Sequence, residues 1–321
     1  MGRSMRVSVI IPTYNYGRFI ADAVKSVQNQ SYTDLEIIVI DDGSEDNTQE
    51  VLSAIEDSRL RVFRKANEGV SVARNKGIEM SSGELLAFLD ADDLWRPEKL
   101  ELQVAMLKAE PSLGLVFSDL ARFNNDGPMD KTHFDYIPSF KQVPVRPAGV
   151  EGGYLIEGDT FEQLIRVPIL PSWVQTSVLR KSHVADVRFP PGIRLNEDLH
   201  YMLQAFRRVK AGYIDKPLVE VRRHGANSFE HADEMLEPQI GVLISIREMG
   251  LAPGQLEALQ WRLGAVHRAL GYRSFWKGEP YNALKSYIKA LALPGKKLNV
   301  LKYLAAIPLS VLIRILGKGS S

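Results

Sequence analysis

Three carboxylates fall within four residues of this sequence, directly after an apolar run. Residues 85–89 lead into Asp90, Asp92 and Asp93. Carboxylates held this close repel one another, and a divalent cation such as Mg²⁺ or Mn²⁺ would offset their charge while taking their oxygens as ligands. The segment therefore predicts a site for a metal ion and a diphosphate. The alternative is a solvated acidic turn that caps the helix starting near Pro97.

Polar groups with binding chemistry also follow other apolar runs. Asp41 and Asp42 come after residues 35–40, where one carboxylate can accept hydrogen bonds from a nucleotide base or a ribose. The alternative is that they cap the next helix. Arg74 lies in residues 67–77, which predict a tight turn followed by a helix start. Its guanidinium suits a diphosphate or ribose, and an ion pair with nearby acidic residues is compatible with that role.

Three further candidates lie later in the chain. Asp198 opens a predicted helix and is a candidate general base, with helix capping as the alternative. His224 follows two arginines and, of the six histidines, is the best candidate metal ligand, although a structural role is the alternative. Trp173 is predicted either to present its aromatic face to a ligand or to lie in the core.

The elements that must position these residues alternate between two types over the first 120 residues. Short apolar runs predict strands at residues 7–11, 35–40, 60–63, 85–89 and 115–117. Apolar positions at helical spacing predict helices at residues 19–28, 48–55, 70–80 and 98–107. This order is typical of an α/β fold with a mainly parallel sheet flanked by helices. In such sheets ligands bind at the carboxyl ends of the strands, which is where the candidate residues fall.

The rest of the chain is predicted to complete this domain and then to continue as helices. Residues 124–153 indicate a loop or insertion, and strands at 174–179 and 218–221 with a helix at 197–207 follow. We therefore expect one domain over residues 1–231 and a helical C-terminal region over residues 232–321. That region contains one pair of helices that resembles a tetratricopeptide unit.

Residues 298–316 are apolar but interrupted by Lys302, Pro308 and Arg314. They are too polar to predict a spanning helix, and they predict an interfacial helix at a membrane surface. The alternatives are a helix that packs on the protein itself or a subunit contact.

The composition limits which classes of partner and which kinds of site this protein is expected to have. The 40 basic and 39 acidic residues leave a formal charge of +1, so no global field argues for nucleic acid. Cysteine is absent, which excludes disulfides, thiolate metal sites and a cysteine nucleophile and fits the cytoplasm. The first apolar stretch, residues 7–11, has the length of a strand and not of a signal peptide. Nothing in the sequence predicts an oligomeric state.

Taken in order, these motifs resemble the inverting family 2 glycosyltransferases with the GT-A fold. The resemblance covers about residues 5–230 and depends on short segments at residues 9–15, 39–44, 67–77, 89–93 and 197–198, and on His224 followed by Ser228. It implies a nucleotide pocket, a DXD pair of Asp90 and Asp92, and Mn²⁺ or Mg²⁺ as cofactor. The implied roles are nucleotide binding by Pro12, Tyr14, Asp42, Arg74 and Asp90; metal or diphosphate contact by Asp92, Asp93 and His224; general base by Asp198; and acceptor contact by Trp173 and Glu197.

The resemblance implies transfer of one sugar from a nucleotide-diphosphate sugar, with UDP-sugars favoured, to a hydroxyl of a glycan or lipid-linked acceptor in cell-surface polysaccharide synthesis. Non-processive transfer is implied because the chain lacks a Gln-x-x-Arg-Trp segment: residues 260–262 read Gln-Trp-Arg. The implied location is the cytoplasm, with contact at the inner face of the membrane. Two alternatives remain at this point, a catalytically silent scaffold that binds sugar nucleotides and a nucleotidyltransferase.

Overall fold

The computed structural model describes residues 5–167, 173–224, 235–295, 300–301 and 304. The chain divides into two compact units, residues 1–227 and residues 228–321. Most of the predicted membrane-surface segment, residues 298–316, lies outside the described residues, as does Ser228. In the part of the chain that is described, no helix has the length and hydrophobicity needed to cross a membrane.

The first unit is built on a mixed sheet flanked by helices. Its strands are β1 (Val7–Thr13), β2 (Leu35–Asp41), β3 (Leu60–Arg64), β4 (Leu85–Phe88), β5 (Leu94–Trp95), β6 (Leu113–Asn124), β7 (Gly127–Pro128), β8 (Val145–Pro147), β9 (Gly153–Ile156), β10 (Val178–Arg180) and β11 (Lys210–Arg222). Its helices are α1 (Gly17–Gln28), α2 (Thr48–Ser53), α3 (Val70–Met80), α4 (Lys99–Ala109), α5 (Thr160–Ile165) and α6 (Glu197–Phe206). The predicted fold class, a mainly parallel sheet flanked by helices, is confirmed.

The strand order is β3-β2-β1-β4-β10-β6-β11-β9-β8. β1 pairs in parallel with β2 and β4, and β2 pairs in parallel with β3. β10 runs antiparallel to both β4 and β6, so these two strands share a direction, and β11 is parallel to β6. The carboxyl ends of β1, β2, β4, β6 and β11 therefore lie at one edge of the sheet, where ligands bind in folds of this type.

Alternating side chains of the central strands face helices on opposite sides of the sheet. Val9 and Ile37 belong to the same buried cluster as α1, whereas Ile38 belongs to a cluster with Ala73 of α3. Strands covered on both faces read as continuous apolar runs, which explains why these strands could be predicted. α1 contacts the sheet through buried positions at helical spacing, namely Ile20, Ala23, Val24 and Val27.

Two sequence predictions need correction. Residues 174–179 do not form one strand, because a 3₁₀ turn, Val174–Thr176, precedes β10. The hydroxyls of Thr176 and Ser177 both donate to the Trp173 carbonyl oxygen, at 2.8 and 3.0 Å, and these bonds favour a turn over a ladder. Residues 124–153 are also more ordered than a loop, since β7, β8 and two 3₁₀ turns lie there.

The second unit is helical, as predicted for the C-terminal region. It contains α7 (Leu236–Glu248), α8 (Pro253–Trp276) and α9 (Pro280–Leu291). α8 and α9 form a hairpin in which Gly271 lies against the Tyr287 ring: a Cβ added at Gly271 would come within 2.5 Å of the Tyr287 Cε1. Its core is a small cluster of Ala283, Leu284, Tyr287, Ala290 and Val300.

The glycine at position 77 permits α3 to pack closely on β1, and this contact generates a stability prediction. A Cβ at Gly77 would lie 2.3 Å from Ile10 Cγ2. Gly77→Val should lower the free energy of unfolding by about 1–3 kcal/mol, because overpacking a buried contact forces its neighbours to move. Urea denaturation followed by circular dichroism measures the change. The control is Gly149→Val, since in the described ranges no atom beyond its two neighbours in the chain lies within 4 Å of a Cβ there. An equal loss in both variants would contradict the packing role.

Candidate active site

The loops after β1 and β2 are held together by side-chain hydrogen bonds. Asn15, which has a left-handed backbone (φ 57°), accepts from the Glu45 N–H at 2.7 Å, and its own N–H donates to Ser44 Oγ at 2.9 Å. Asp41 Oδ1 accepts from the Ser44 N–H at 2.9 Å. Asparagine tolerates this backbone conformation. The two loops therefore form one wall of the site, from which the Tyr14 ring, 40% exposed, is accessible to a ligand.

Asp42 connects this wall to the loop after β3. Its carboxylate lies 2.6 Å from Lys65 Nζ and accepts from the Gly69 N–H at 2.7 Å and the Glu68 N–H at 3.1 Å. The side chain is buried. Asp42 does not cap α2, which begins only at Thr48. Its carboxylate therefore holds the loop after β3 beside the residues that are predicted to form the nucleotide pocket. Pro12 is likewise buried, in β1 beside β2.

The three carboxylates after β4 have different partners. Asp90 Oδ1 accepts from Arg74 Nη2 at 2.7 Å. Asp92 Oδ2 lies 3.0 Å from His224 Nε2. Burial and the charge of Asp90 raise the pKa of Asp92. The capping alternative is wrong, because β5 follows the cluster and α4 begins only at Lys99. The cluster instead connects α3 on one side with the residues after β11 on the other.

Asp93 is directed into the protein. Its Oδ1 accepts from the Arg222 N–H at 3.0 Å and its Oδ2 from Gln175 Nε2 at 3.3 Å, and it is 3% exposed. Burial, Asp92 and Asp90 raise the pKa of Asp93 well above its usual range. This geometry favours a structural role for Asp93 over the predicted metal contact, because both oxygens bind the strand and turn that surround them.

An aromatic surface next to His224 was not predicted from the sequence. The His224 ring centroid lies 4.9 Å from that of Phe19 and 6.2 Å from that of Tyr16. Burial and the nearby Asp92 raise the pKa of the Tyr16 hydroxyl to about 12. Arg222 Nε donates to the Asp92 carbonyl oxygen at 3.0 Å. The position of Tyr16 directly after residues 9–15 was the available signal for it, whereas nothing local marked Phe19.

Arg74 joins the acidic cluster to the start of α6. It is 4% exposed, and its Nη1 donates to Glu197 Oε1 at 2.9 Å while its Nη2 binds Asp90. The guanidinium also lies over the Phe189 ring, 5.1 Å from its centroid. Arg74 was predicted to form an ion pair with nearby acidic residues, and it forms one with each of these two carboxylates. The two carboxylates come from segments far apart in sequence, so Arg74 fixes the position of the α6 start relative to Asp90.

Asp198 lies directly after Glu197 in α6 and is partly buried. It is not the N-cap, a position held by Asn196. Its Oδ1 accepts from the Leu199 N–H at 2.7 Å. Burial, followed by the charge of Glu197, raises the pKa of Asp198 to about 7, against the opposing effect of Arg74. A carboxylate with such a pKa can take up and release a proton near neutral pH.

The structure thus brings most of the predicted residues together at one edge of the sheet. Arg74, Asp90, Glu197 and Asp198 form one contiguous group, and Asp92, Asp93 and His224 adjoin it through residues 90–93. Trp173 belongs to a different group, with its ring centroid 5.1 Å from that of His133. It is partly buried against the main core cluster, so the structure leaves both of its predicted roles open.

Removal of the Arg74 charge tests whether this residue organises the site. Arg74→Gln should lower the free energy of unfolding by about 3 kcal/mol, because Asp90 and Glu197 would lose a buried counter-charge. Chemical denaturation measures the effect. Lys76→Gln on the same helix is the control, since Lys76 and Glu79 form an exposed pair at 3.2 Å and should contribute about 0.5 kcal/mol or less. Comparable losses in the two variants would show that Arg74 has no organising role.

Comparison with known proteins identifies the domain. Residues 8–152 match the family model described as Glycosyl transferase family 2. These residues form a family 2 glycosyltransferase domain. The match covers β1 to β8 of the first unit, including the wall formed by the loops after β1 and β2, Arg74 and the acidic cluster.

Curated relatives share this region. A Rickettsia felis protein named an uncharacterized glycosyltransferase is 35% identical over 230 residues, which are 70% of this chain and 34% of that protein. This chain spans about a third of the length of the first relatives it matches. TuaG of Bacillus subtilis, named for teichuronic acid biosynthesis, is 42% identical over 129 residues, 39% of this chain and 51% of that protein. WfgD of Escherichia coli is 34% identical over 126 residues, 39% of this chain and 49% of that protein. Its name gives UDP-Glc as donor and alpha-D-GlcNAc-diphosphoundecaprenol as acceptor.

Solved structures show the same GT-A fold at low sequence identity. TarS of S. aureus, residues 1–349 in complex with UDP-GlcNAc, aligns with a TM-score of 0.67 at 18% identity, covering 96% of this chain and 83% of that one. The mannosyltransferase PcManGT from Pyrobaculum calidifontis, in complex with GDP-Man and Mn²⁺, aligns with a TM-score of 0.61 at 19% identity, covering 96% and 81%.

Proposed function

We propose that this protein transfers one sugar, with inversion, from a nucleotide-diphosphate sugar to an acceptor hydroxyl. The observation that carries the proposal is the bridge formed by Arg74, which holds Asp90 at 2.7 Å and Glu197 at 2.9 Å and so fixes Asp198 beside the acidic cluster. A donor-binding group and a candidate base are thereby parts of one unit. Such positioning contributes to catalysis by reducing the motion needed to reach the reactive geometry.

We propose that the nucleotide binds along the wall formed by the loops after β1 and β2. Tyr14 offers an exposed aromatic face on which a base can stack. Pro12 and Asp42 shape the pocket from within, while Arg74 and Asp90 lie at its diphosphate side. UDP is the favoured nucleotide, supported by the UDP-Glc in the name of WfgD and by the UDP-GlcNAc complex of TarS.

The residues after β4 and β11 fit a divalent metal. In the described ranges, no three His, Asp or Glu side chains are grouped as a complete metal site. Mg²⁺ and Mn²⁺ at phosphate-transfer sites use few protein ligands and complete their shell with substrate phosphates and water. Asp92 and His224, 3.0 Å apart, provide the carboxylate and imidazole donors that suit Mn²⁺, with Asp90 nearby. A metal bound there would stabilise the negative charge of the leaving diphosphate.

Asp198 is the proposed general base. As the acceptor hydroxyl attacks the anomeric carbon, its proton passes to the Asp198 carboxylate, and the bond from the anomeric carbon to the diphosphate oxygen breaks. Attack from the face opposite the leaving group inverts the configuration. The pKa of Asp198, about 7, keeps it basic enough to accept a proton and largely ionised above neutral pH. Glu197 and Trp173 are the proposed acceptor contacts.

The names of the relatives support the proposed acceptor class, and the sequence is the basis for the proposed location. We propose a glycan or lipid-linked acceptor in cell-surface polysaccharide synthesis, supported by the names of TuaG and WfgD. The proposed location is the cytoplasm, with residues 298–316 as the segment that contacts the inner face of the membrane. The silent-scaffold and nucleotidyltransferase alternatives assign no proton-accepting role to Asp198, so the tests below separate them from this proposal.

The first test concerns the metal. Asp92→Asn should abolish the Mn²⁺-dependent part of UDP binding, because an amide cannot replace a charged carboxylate ligand. Isothermal titration with and without Mn²⁺ measures it, and a thermal melt of the variant checks folding. Glu220→Gln is the control, since Glu220 of β11 instead forms a partly exposed ion pair with Arg96. Undiminished Mn²⁺-dependent binding by Asp92→Asn would refute the metal role.

The second test concerns the base. Asp198→Asn should reduce turnover by about 10² or more while UDP binding persists, because shape is kept and basicity is lost. In the wild type, turnover should fall as the pH drops below about 7, where Asp198 becomes protonated. Product analysis with radiolabelled UDP-sugars across pH 5–9 measures both. Asp159→Asn is the control, an acid-to-amide change at the start of α5. Turnover equal to the wild type in Asp198→Asn would exclude this residue as the base.

The same variant has a readout that is independent of turnover. The pKa of Asp198 is higher in the folded protein than the 3.8 of an unperturbed aspartic acid, so folding favours the protonated acid. The stability of the wild type should therefore fall as the pH rises from about 4 to about 7, to the extent that this carboxyl contributes. Asp198→Asn should lose that part of the pH dependence.

A further inference from the structure

A second buried arginine lies at the same edge of the sheet, outside the group described above. Arg122, near the end of β6, is 6% exposed, and its Nη2 lies 3.1 Å from His133 Nδ1. The guanidinium is 5.2 Å from the ring centroid of Tyr136 and 5.8 Å from that of Trp173. The group of Arg122, His133, Tyr136 and Trp173, together with Arg223, is called the Arg122 cluster below.

Among the described residues, the charge of Arg122 has no counter-ion within hydrogen-bonding distance. Its Nη1 is buried and has no hydrogen-bond partner, and no ion pair involves Arg122 in the part of the chain that the structure describes. Asp119 is also buried, and its Oδ1 is occupied by the Leu120 and Phe134 N–H groups at 2.7 and 3.0 Å. A buried charge without a partner is costly. Burial and the nearby Arg223 accordingly lower the pKa of Arg122.

Arg74 provides the comparison, because both of its terminal nitrogens bind carboxylates and only its Nε has no hydrogen-bond partner among the described residues. It is equally buried, yet it binds two carboxylates at 2.7 and 2.9 Å. Arg122 instead faces two aromatic rings and a second cation. Aromatic faces stabilise a guanidinium only in part, and they also bind the apolar faces of sugars. An N–H left unpaired in such a setting indicates a missing acceptor, which is either water or a ligand anion.

The position of the cluster in the sheet indicates that a ligand bound there would belong to the acceptor. β6 and β11 are parallel, Arg122 is opposite Val221, and the Arg223 N–H donates to the Phe123 carbonyl oxygen at 2.7 Å. Arg223 therefore connects the cluster to His224, the proposed metal contact, which is the next residue in the chain. The nucleotide wall is at β1 and β2, which are three and four positions away from β6 in the sheet order. An anion bound by Arg122 would consequently belong to the acceptor and not to the donor.

We propose that the Arg122 cluster binds an anionic group of the acceptor, a phosphate or a carboxylate, with Tyr136 and Trp173 against the adjoining sugar ring. This deepens and rests on the proposed function, since it specifies the acceptor of that reaction. Arg122 Nη1 supplies a charge-assisted hydrogen bond to the anion. Tyr136, which is 48% exposed, makes the cluster accessible from solvent.

Three small probes test the inference on the full chain. Glucose 1-phosphate carries a phosphate, glucuronate carries a carboxylate, and glucose is neutral. Affinity is measured by calorimetry with saturating UDP and Mn²⁺ present, so that the nucleotide site is filled. At least one charged probe should bind the wild type more tightly than glucose. Arg122→Gln should weaken that binding about tenfold or more, and Arg122→Lys should restore part of it by returning the charge.

Each outcome has a defined meaning. Binding confined to glucose 1-phosphate identifies a phosphate on the acceptor, and binding confined to glucuronate identifies a carboxylate. Arg208→Gln, at an exposed ion pair with Asp186, is the control and should leave every affinity unchanged. Equal affinity for all three probes, or an affinity for the charged probe that Arg122→Gln leaves intact, would overturn the inference and assign buried water to Arg122 Nη1.

Two further measurements separate a loss of binding from a folding defect, and a failure of this inference from a failure of the proposed function. If Arg122→Gln does not fold, Arg223→Gln, which removes the second and partly exposed cation, should weaken charged-probe binding in the same direction. UDP binding in the presence of Mn²⁺ is recorded for every variant. Its absence from the wild type would refute the proposed function, whereas intact UDP binding together with Arg122-independent probe binding would refute this inference alone.

Discussion

The site depends on the two buried ion pairs formed by the guanidinium of Arg74. It pairs with Asp90 after β4 and with Glu197 at the start of α6, two carboxylates whose own positions differ by more than 100 residues in the chain. A buried ion pair adds little net stability, because the attraction is offset by the loss of hydration. Its value here is geometric: three separate elements can hold their charges out of water only in one relative arrangement.

This arrangement is possible because the strands that carry the site share one direction. β10 runs antiparallel between β4 and β6, which returns β6 and β11 to the orientation of β1, β2 and β4. The residues after β4 and β11 therefore meet, and the Asp92 carboxylate reaches His224 at 3.0 Å. The buried Asp93 also links the residues after β4 to β11, because its carboxylate accepts hydrogen bonds from the Arg222 N–H and from the side chain of Gln175. A carboxylate that binds the surrounding backbone and a carboxylate of the proposed metal site thus lie next to each other in the sequence.

The two buried arginines at this edge of the sheet, Arg74 and Arg122, have different electrostatic surroundings. Around Arg74 the cation is matched by carboxylates, and burial beside Glu197 raises the pKa of Asp198 to about 7. Around Arg122, in the part of the chain that is described, the cation has no ion pair: it lies near the rings of Tyr136 and Trp173, contacts His133 at 3.1 Å and has Arg223 as a neighbour. One side of the edge can therefore attract a cation and accept a proton, while the other can attract an anion. A reaction between a metal-bound diphosphate and an anionic acceptor would use both sides.

The sequence by itself determined the central strands, the flanking helices and the edge at which the chemistry would lie. Buried parallel strands are continuous apolar runs, and residues 35–40 and 85–89 end directly at their carboxylates, so local pattern was sufficient. It also marked residues 90–93 as a site. It did not separate the roles within them: Asp90, Asp92 and Asp93 are chemically alike, and only contacts with Arg74, His224 and Gln175 distinguish them.

Tertiary structure alone decided which distant groups meet. The turn at Val174–Thr176 was predicted as a strand because its hydrogen bonds to the Trp173 carbonyl oxygen are invisible in an apolar pattern. Phe19 and Arg122 carried no local signal, since an aromatic on a helix and an arginine at a strand end are common on any surface. Their surroundings come from elements many residues away, and burial, charge pairing and pKa are properties of those surroundings.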